Sequence, residues 1–225
     1  MGSDNLFHKR KQKAAATAQR RKASRQPYDK VLIVCEGEKT EPLYFKELID
    51  HYEIHTANVR ISGQCGSDPV SVVDHGIQLY QDEKNSPSEP FDRVYCVFDR
   101  DAHTNYLQAL DKIKHTKPDD TFFAIPSVPC FEYWLLLHFN YTTAPYTSVD
   151  SVSAGNAVVK ELQRYWPEYQ KGSRDTFNYT FNLQKDELAS AKQNAVRSLA
   201  QAQQNHTDNP STTIHLVVDY LQKIK

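Results

Sequence analysis

Two short groups of acidic residues in this sequence each follow an apolar run. The first group is Glu36, Glu38 and Glu41, and the second is Asp99 and Asp101. Carboxylates that converge within ~5 Å repel one another by about 3 kcal/mol per pair at an effective dielectric constant near 20. Such a cluster must take up protons or bind cations, and oxygen ligands without His or Cys select Mg²⁺ or Mn²⁺ over zinc. The residue types therefore indicate divalent-metal chemistry.

The convergence of these acids depends on the elements that carry them. Residues 31–35 and 94–98 are apolar runs without a polar face, which is typical of parallel-sheet strands covered on both sides. An open α/β sheet binds ligands at the carboxyl ends of its strands, where both acidic groups would lie. In an extended backbone Asp99 and Asp101 point one way and Arg100 the other.

The segments around these strands complete an α/β alternation. Further helices are predicted at 43–51, from about Asp68, and at 105–115, and further strands at 58–63 and 121–125. The run 127–139 is too apolar for a surface helix, so we expect it to be largely buried. Glu132 is out of place there unless a cation or a hydrogen-bond donor holds it, or unless it caps its helix.

Three parts of the chain follow from this pattern. Residues 1–28 are predicted to form a basic flexible arm, residues 29–141 a catalytic α/β domain, and residues 142–225 a helical appendage packed on the same core. Helices in the appendage are expected near 155–165, 184–204 and 211–223. No internal repeat is visible.

Charge is distributed unevenly, although the formal net charge is only -1. The segment between His8 and Arg25 carries no acidic residue and eight basic ones: Lys9, Arg10, Lys11, Lys13, Arg20, Arg21, Lys22 and Arg25. We expect these residues to contact nucleic acid, and the alternative is a solubilising tail. The remainder of the chain is correspondingly acidic.

The cysteines and the hydropathy pattern bear on location. Cys35 and Cys96 lie inside predicted strands, so they are expected to be buried thiols rather than zinc ligands or disulfide partners. No apolar run reaches ~18 residues, and no signal-peptide pattern opens the sequence. The protein is therefore expected to be soluble and cytoplasmic, without a membrane partner.

Several segments resemble a known family. CEGEKTEPLYFKEL, VFDRD and S-x-PCFEYWLLLHF resemble the RloB family, which is encoded beside restriction and phage-defence genes. NPSTTIHLVVDYL and the basic arm resemble it too, so the resemblance covers nearly the whole chain. RloB-like proteins are in turn similar to Toprim domains, the metal-dependent module of topoisomerases, primases and OLD-type nucleases. The resemblance implies a Toprim-like, mainly parallel sheet flanked by helices, with a helical C-terminal appendage.

Toprim domains share a glutamate after the first strand and a DxD motif after a later one. By this resemblance Glu36 matches the glutamate, and Asp99 and Asp101 match the DxD. OLD-type nucleases have a second glutamate shortly after the first, which Glu41 or Glu38 supplies. EGEKTE is one residue longer than their usual EGxTE, and Glu38 is equally explained as a solvated loop acid.

The resemblance also makes Glu132 an additional acidic ligand. Paired ions ~3.5–4 Å apart can activate water and stabilise the leaving oxygen of a phosphodiester. Glu36 would then be the general base or a bridging ligand, with Asp99 and Asp101 as principal ligands. Lys39 could neutralise charge growing on the scissile phosphate, or simply pair with nearby surface acids. The predicted metal ligands are thus Glu36, Glu41, Asp99, Asp101 and Glu132.

The acidic residues and the resemblance together predict a Mg²⁺- or Mn²⁺-dependent nuclease, and the resemblance implies that it acts in abortive-infection-type antiphage defence. The chain lacks a Walker A motif, and the resemblance implies an ATPase partner encoded nearby. The alternative is a non-hydrolytic module in which the acids hold Mg²⁺ and a nucleotide or nucleic acid for recognition only. Both DNA and RNA, including tRNA, stay open as substrates, and a homo-oligomer stays open as the assembly.

Overall fold

The computed structural model describes residues 28–56, 58–63, 65–182 and 187–224. Nearly all of the basic arm predicted at 1–28, including its eight Lys and Arg residues, lies outside the described residues. The proposed contact of these residues with nucleic acid therefore stays a prediction.

The core of the described chain is a five-stranded sheet in the order β2–β1–β3–β4–β5. The strands are β1 (Val31–Cys35), β2 (Val59–Ser62), β3 (Arg93–Asp99), β4 (Phe122–Val128) and β5 (Ser211–Thr212). The β1–β2, β1–β3 and β3–β4 pairs are parallel, and only β5 runs antiparallel to its neighbour. The predicted α/β fold with a mainly parallel sheet is confirmed.

Both faces of the sheet are covered, as the uninterrupted apolar runs indicate. The β1 residues Val31, Ile33 and Cys35 contribute to one apolar cluster, and Leu32 and Val34 contribute to a second one on the opposite face. All five β1 residues are fully buried. A strand of this kind cannot show the alternation of apolar and polar residues that a half-exposed strand shows.

Helices fill both layers. They are α1 (Thr40–His51), α2 (Pro69–Asn85), α3 (Tyr106–His115), α4 (Glu132–Leu136), α5 (Ala154–Leu162), α6 (Thr176–Asn182), α7 (Glu187–Gln204) and α8 (Ile214–Leu221). The predicted start near Asp68 is confirmed, because the Asp68 carboxylate accepts hydrogen bonds from the N–H groups of Val70 and Ser71. Helix α4 is shorter than the predicted apolar run, yet every residue from Phe131 to Leu137 is buried, as expected.

The part after residue 141 is less purely helical than predicted. Residues 211–223 divide into β5 and α8, and the Ser127 and Thr212 hydroxyls lie 2.8 Å apart where β5 pairs with β4. Helix α6 was not predicted. A two-residue strand and a seven-residue helix are too short to produce a periodic apolar pattern.

The expectations for cysteines and membrane segments can be compared with the described residues. All four cysteines are free, and Cys35 and Cys96 are buried as predicted. Among the residues that the structure describes, no helix has both the length and the apolar character needed to cross a membrane.

Candidate functional site

A cavity of about 360 Å³ opens where β1 and β3 end, at the first turn of α1. Four of the predicted ligands line it: Glu36, Glu41, Asp99 and Glu132. They come from the end of β1, the start of α1, the end of β3 and the start of α4. The parallel sheet therefore gathers carboxylates that are distant in sequence at its carboxyl edge, as expected for this fold class.

Glu36 is tied directly to the neighbouring strand. Its Oε2 atom accepts a hydrogen bond of 2.9 Å from the backbone N–H of Asp99, and His103 Nε2 lies 3.0 Å from Glu36 Oε1. Burial raises the pKa of Glu36, and these two contacts oppose the rise. His103 was not identified from the sequence, because it lies in the turn after β3 with no motif around it.

Glu41 lies inside the cavity and is only 6% exposed, whereas Glu38 is exposed at its rim. Burial, together with the charges of Glu132 and Glu36, raises the pKa of Glu41 to about 7. Gly37 permits this position, since a β-carbon at residue 37 would lie 2.2 Å from Glu41 Oε2. Of the two glutamates left open by the motif, Glu41 is therefore the one that turns inward.

Asp99 and Asp101 do not share a strand face. β3 ends at Asp99, and Asp101 lies in the following turn with a φ of 30° and an exposed side chain. The turn is fixed by a 2.9 Å hydrogen bond from the Asp101 N–H to the Pro129 carbonyl. The extended backbone assumed for the DxD motif was therefore wrong. Asp101 is not among the residues that line the cavity, so its role as a ligand stays a prediction.

Glu132 is held by the segment between α5 and α6. Tyr169 donates a 3.0 Å hydrogen bond to Glu132 Oε1, and Lys171 Nζ lies 3.4 Å from Glu132 Oε2. Glu132 is 2% exposed, and its Oε2 atom accepts no hydrogen bond from the described residues. The sequence indicated that this acid needs a partner, but nothing in the aperiodic segment identified Lys171 or Tyr169 as that partner.

The electrostatics of the cavity are dominated by acid. Burial raises the pKa of Asp99 well above its usual value, and the charges of Glu41, Glu132 and Glu36 raise it further. Burial lowers the pKa of Lys171, but the neighbouring acids, Glu132 first, outweigh this and leave it raised. Lys171 therefore stays a cation in the same cavity as Glu41 and Asp99, whose pKa values are raised.

Lys39, the predicted phosphate-neutralising residue, lies at the rim. It is exposed and occupies the N-cap position of α1. A β-carbon at Gly172 would be 3.1 Å from Lys39 Cδ, so the Lys39 stem lies against the α5–α6 segment. The Lys39 ammonium can reach a ligand at the cavity mouth without being buried.

The donor chemistry fits a hard divalent ion, because the cavity acids supply only oxygen atoms and Glu132 Oε2 accepts no hydrogen bond from the part of the chain that the structure describes. Within the described ranges, however, no three His, Cys, Asp or Glu side chains already form a group arranged to hold a metal ion. An ion would have to draw the carboxylates together and displace or share the contact that Lys171 makes with Glu132.

The comparisons with known proteins agree with the resemblance seen in the motifs. The family described as RloB-like protein matches residues 31–221, a range that contains every strand and helix named above. The comparison with curated proteins and the comparison with solved structures each found no match. Because the matched range is far more than half of the 225 residues, the chain belongs to the RloB-like protein family.

Proposed function

We propose that this protein is a Mg²⁺- or Mn²⁺-dependent nuclease that hydrolyses phosphodiester bonds of a nucleic acid. The observation that carries the proposal is the convergence of Glu36, Glu41, Asp99 and Glu132 in one cavity at the carboxyl ends of parallel strands. A fold that needed these acids only for stability would not place them beside one another, since Glu36 and Glu132 raise the pKa of both Glu41 and Asp99.

The four cavity acids would hold the ion, and a bound divalent ion would supply an activated water and a counter-charge for phosphate. Glu36 is the best candidate to accept a proton, because burial raises its pKa towards the working range of a general base. The Asp99 N–H and His103 fix the orientation of the Glu36 carboxylate. Lys171 and Lys39 line the same cavity and supply positive charge where a phosphate would enter.

The resemblance to Toprim domains supports the same reaction. Glu36 after the first strand and Asp99 after a later one match the glutamate and the first DxD aspartate of that module. The same resemblance supports a role in antiphage defence, under the control of an ATPase partner in the cytoplasm. These are proposals that rest on the motifs, and the acidic cavity is compatible with each of them.

A second candidate function is a non-hydrolytic module that holds a cation and a nucleotide or nucleic acid for recognition. Two observations favour it: Asp101 lies outside the cavity lining, and no three-ligand group is preassembled in the described residues. In that case Lys171 and Lys39 would bind phosphate without any bond being broken.

The decisive experiment incubates the purified protein with Mg²⁺ or Mn²⁺ and with plasmid, single-stranded DNA or total tRNA. Glu41→Gln and Glu38→Gln are a matched pair, since one residue is buried in the cavity and the other exposed at its rim. We expect Glu41→Gln to need more Mn²⁺ and to cleave more slowly, and Glu38→Gln to resemble the wild type. Metal binding without cleavage of any substrate would support the recognition module, and equal activity of both variants would remove this cavity as the active site.

A further inference from the structure

Helix α1 contacts both the acidic cavity and the segment that carries Lys171. We call residues 166–175 the strap; they lie between α5 and α6. Thr40 and Glu47 are seven residues apart on α1, which is about two helical turns, so their side chains lie on one face. Both side chains bind the strap or the helix that follows it.

Glu47 accepts hydrogen bonds from three backbone N–H groups. Its Oε1 atom binds the N–H of Asp175 at 2.7 Å, and its Oε2 atom binds those of Phe177 at 2.8 Å and Asn178 at 3.4 Å. The first is the last N–H of the strap, and the other two belong to the second and third residues of α6. Charge-assisted bonds of this kind are stronger than neutral ones and restrict the backbone that they join.

A second contact fixes the middle of the strap. The Gly172 N–H donates a 2.9 Å hydrogen bond to Thr40 Oγ1, and Gly172 has a φ of 79°, which a residue with a β-carbon rarely adopts. Thr40 directly precedes Glu41, and Gly172 directly follows Lys171. The same helix therefore sets both the cavity acid and the cation that faces Glu132.

The side chains of the strap reach the cavity between these anchors. Tyr169 is fully buried and bound to Glu132, whereas the Lys171 side chain is 54% exposed and rests on Glu132 through one 3.4 Å contact. A long, half-exposed lysine in a single contact depends on its backbone for position. Three residues separate Lys171 from Asp175, whose backbone N–H donates a hydrogen bond to Glu47.

We propose that Glu47 is a positioning residue that acts through the strap to hold Lys171 at the acidic cavity. The inference rests on the proposed function in so far as Lys171 contributes to cleavage. The Glu47 side chain is not among the residues that line the cavity, so any effect on the reaction must pass through the strap.

The first test compares Glu47→Gln with Asp50→Asn, an exposed acid on the same helix. Glu47→Gln should lower kcat by about tenfold to a hundredfold, the range expected when a catalytic group is displaced by about 1 Å, with a smaller change in KM. Asp50→Asn should leave both unchanged. In a Lys171→Met background the further loss from Glu47→Gln should shrink to about twofold or less, because both changes act on the same group. Additive losses would mean that Glu47 is only a helix cap.

A second readout does not depend on nuclease activity. The acylation rate of Lys171, followed by mass spectrometry, should rise several-fold in Glu47→Gln because an amine held in an ion pair reacts slowly. If no substrate is cleaved but Lys171 becomes more reactive, the nuclease proposal fails and the positioning role stands. An unchanged acylation rate overturns the positioning role. Glu47→Asp, which keeps the charge, replaces Glu47→Gln should the latter fail to fold.

Discussion

The two ends of the β-sheet carry charge in opposite ways. At the carboxyl end, Glu41 and Glu132 are buried next to Asp99, Lys171 contacts Glu132, and Lys39 lies exposed at the rim. At the amino end, Lys30 forms an ion pair with Glu83 and donates a 2.9 Å hydrogen bond to the Glu89 carbonyl. The amino end is balanced, and the carboxyl end has an excess of acid.

Aromatic rings also contact a charged residue at the amino end of the sheet. Arg93, the first residue of β3, lies 4.3 Å from the ring centre of Tyr220 and 5.0 Å from that of Phe123. Arg93 also lies 3.9 Å from Asp29, whose carboxylate accepts a hydrogen bond from the Tyr220 hydroxyl. Lys30, Glu83, Arg93 and Asp29 therefore each have a partner of opposite sign, and Arg93 also has aromatic faces.

The difference separates charges that stabilise the fold from charges that the fold tolerates. A matched, partly exposed pair contributes modestly to stability. Acids such as Glu41 and Asp99, whose pKa values are raised by burial and by neighbouring acids, reduce stability when they are ionised. Their presence is better explained by the binding of a cation. Removing one charge at each end should therefore have opposite effects on stability.

The largest expected effect comes from Asp99→Asn, with Glu83→Gln as its counterpart at the amino end. Asp99→Asn should reduce metal-dependent cleavage more than about a hundredfold. Mutation of a residue that only hydrogen-bonds to a metal ligand already lowers metal affinity or activity by up to about that factor. The same change should raise the melting temperature of the metal-free protein by removing repulsion in the cavity. Glu83→Gln should leave cleavage unchanged and lower stability by about 1 kcal/mol. Melting temperatures that move in the same direction would contradict the comparison.

The pH dependence of stability should show the same excess of acid. An unfolded Glu41 ionises near its ordinary value, whereas the folded protein raises its pKa to about 7. Between these values the folded state binds more protons than the unfolded state, so the free energy of unfolding should fall as pH rises, by about 3 kcal/mol at most from this residue. Denaturant titrations from pH 4.5 to 8 should show this fall, and Glu41→Gln should reduce it. A stability that rises over this range in the wild type would be incompatible with the buried acids.

Gly37→Ala tests whether cleavage requires the present position of Glu41, and Gly155→Ala is its control. The added methyl group would meet Glu41 Oε2 at 2.2 Å, whereas at residue 155 the nearest atoms are 3.6 Å away. We expect Gly37→Ala to displace Glu41 and to slow cleavage by about tenfold or more. Gly155→Ala should keep full activity and gain up to about 1 kcal/mol, because alanine favours a helix. Equal activity of the two variants would show that Glu41 need not occupy its present position.

The smallest expected effect on the saturated rate comes from deleting residues 1–26. Residues 1–27 span at most about 90 Å when extended, and β1 is roughly 17 Å long. A segment attached at the amino end of β1 is therefore long enough to reach the cavity at the carboxyl end. If six phosphates are neutralised, log affinity should fall with log salt at a slope near -5 for duplex DNA and about -4 for single strands.

The deletion should flatten this slope by several units and raise KM, with little change in kcat, because the basic residues supply binding rather than transition-state contacts. Binding measured by fluorescence anisotropy over a series of salt concentrations gives the slope for each form. Equal slopes would show that the arm does not touch the substrate, and would favour a solubilising or partner-binding role.

The centre of the sheet could be predicted from the sequence because β1 and β3 are continuous apolar runs that end in acid. The same pattern located Glu36, Asp99, Glu38 and Glu41 at one edge but left open which of the last two turns inward. Gly37 permits the inward position of Glu41. The extended DxD prediction failed because β3 stops at Asp99, where a tertiary hydrogen bond to Pro129 turns the chain. Local propensity carries no information about such a contact.

The strap could not be predicted for a related reason. Its contacts with α1 join residues 128 to 132 positions apart, and no periodic pattern marks it. Tyr169 and Lys171 are placed by Thr40, Glu47 and the left-handed Gly172, none of which belongs to a motif. The sequence predicted that a buried Glu132 needs a partner, but it did not identify that partner.

The position of the strap in the sequence has a consequence for biosynthesis. Glu36, Glu41, Asp99 and Glu132 are all made before Lys171, which follows Glu132 by 39 residues (171 − 132). At about 5–20 residues per second, the growing chain carries the four acids for some seconds before the balancing lysine is added. During that interval Lys171 cannot offset the acids, and only protons, dissolved cations and residues made earlier, such as Lys39 and His103, are present to do so. The folding of ribosome-bound chains that end before the strap should therefore depend more strongly on divalent ions than the folding of the finished protein does.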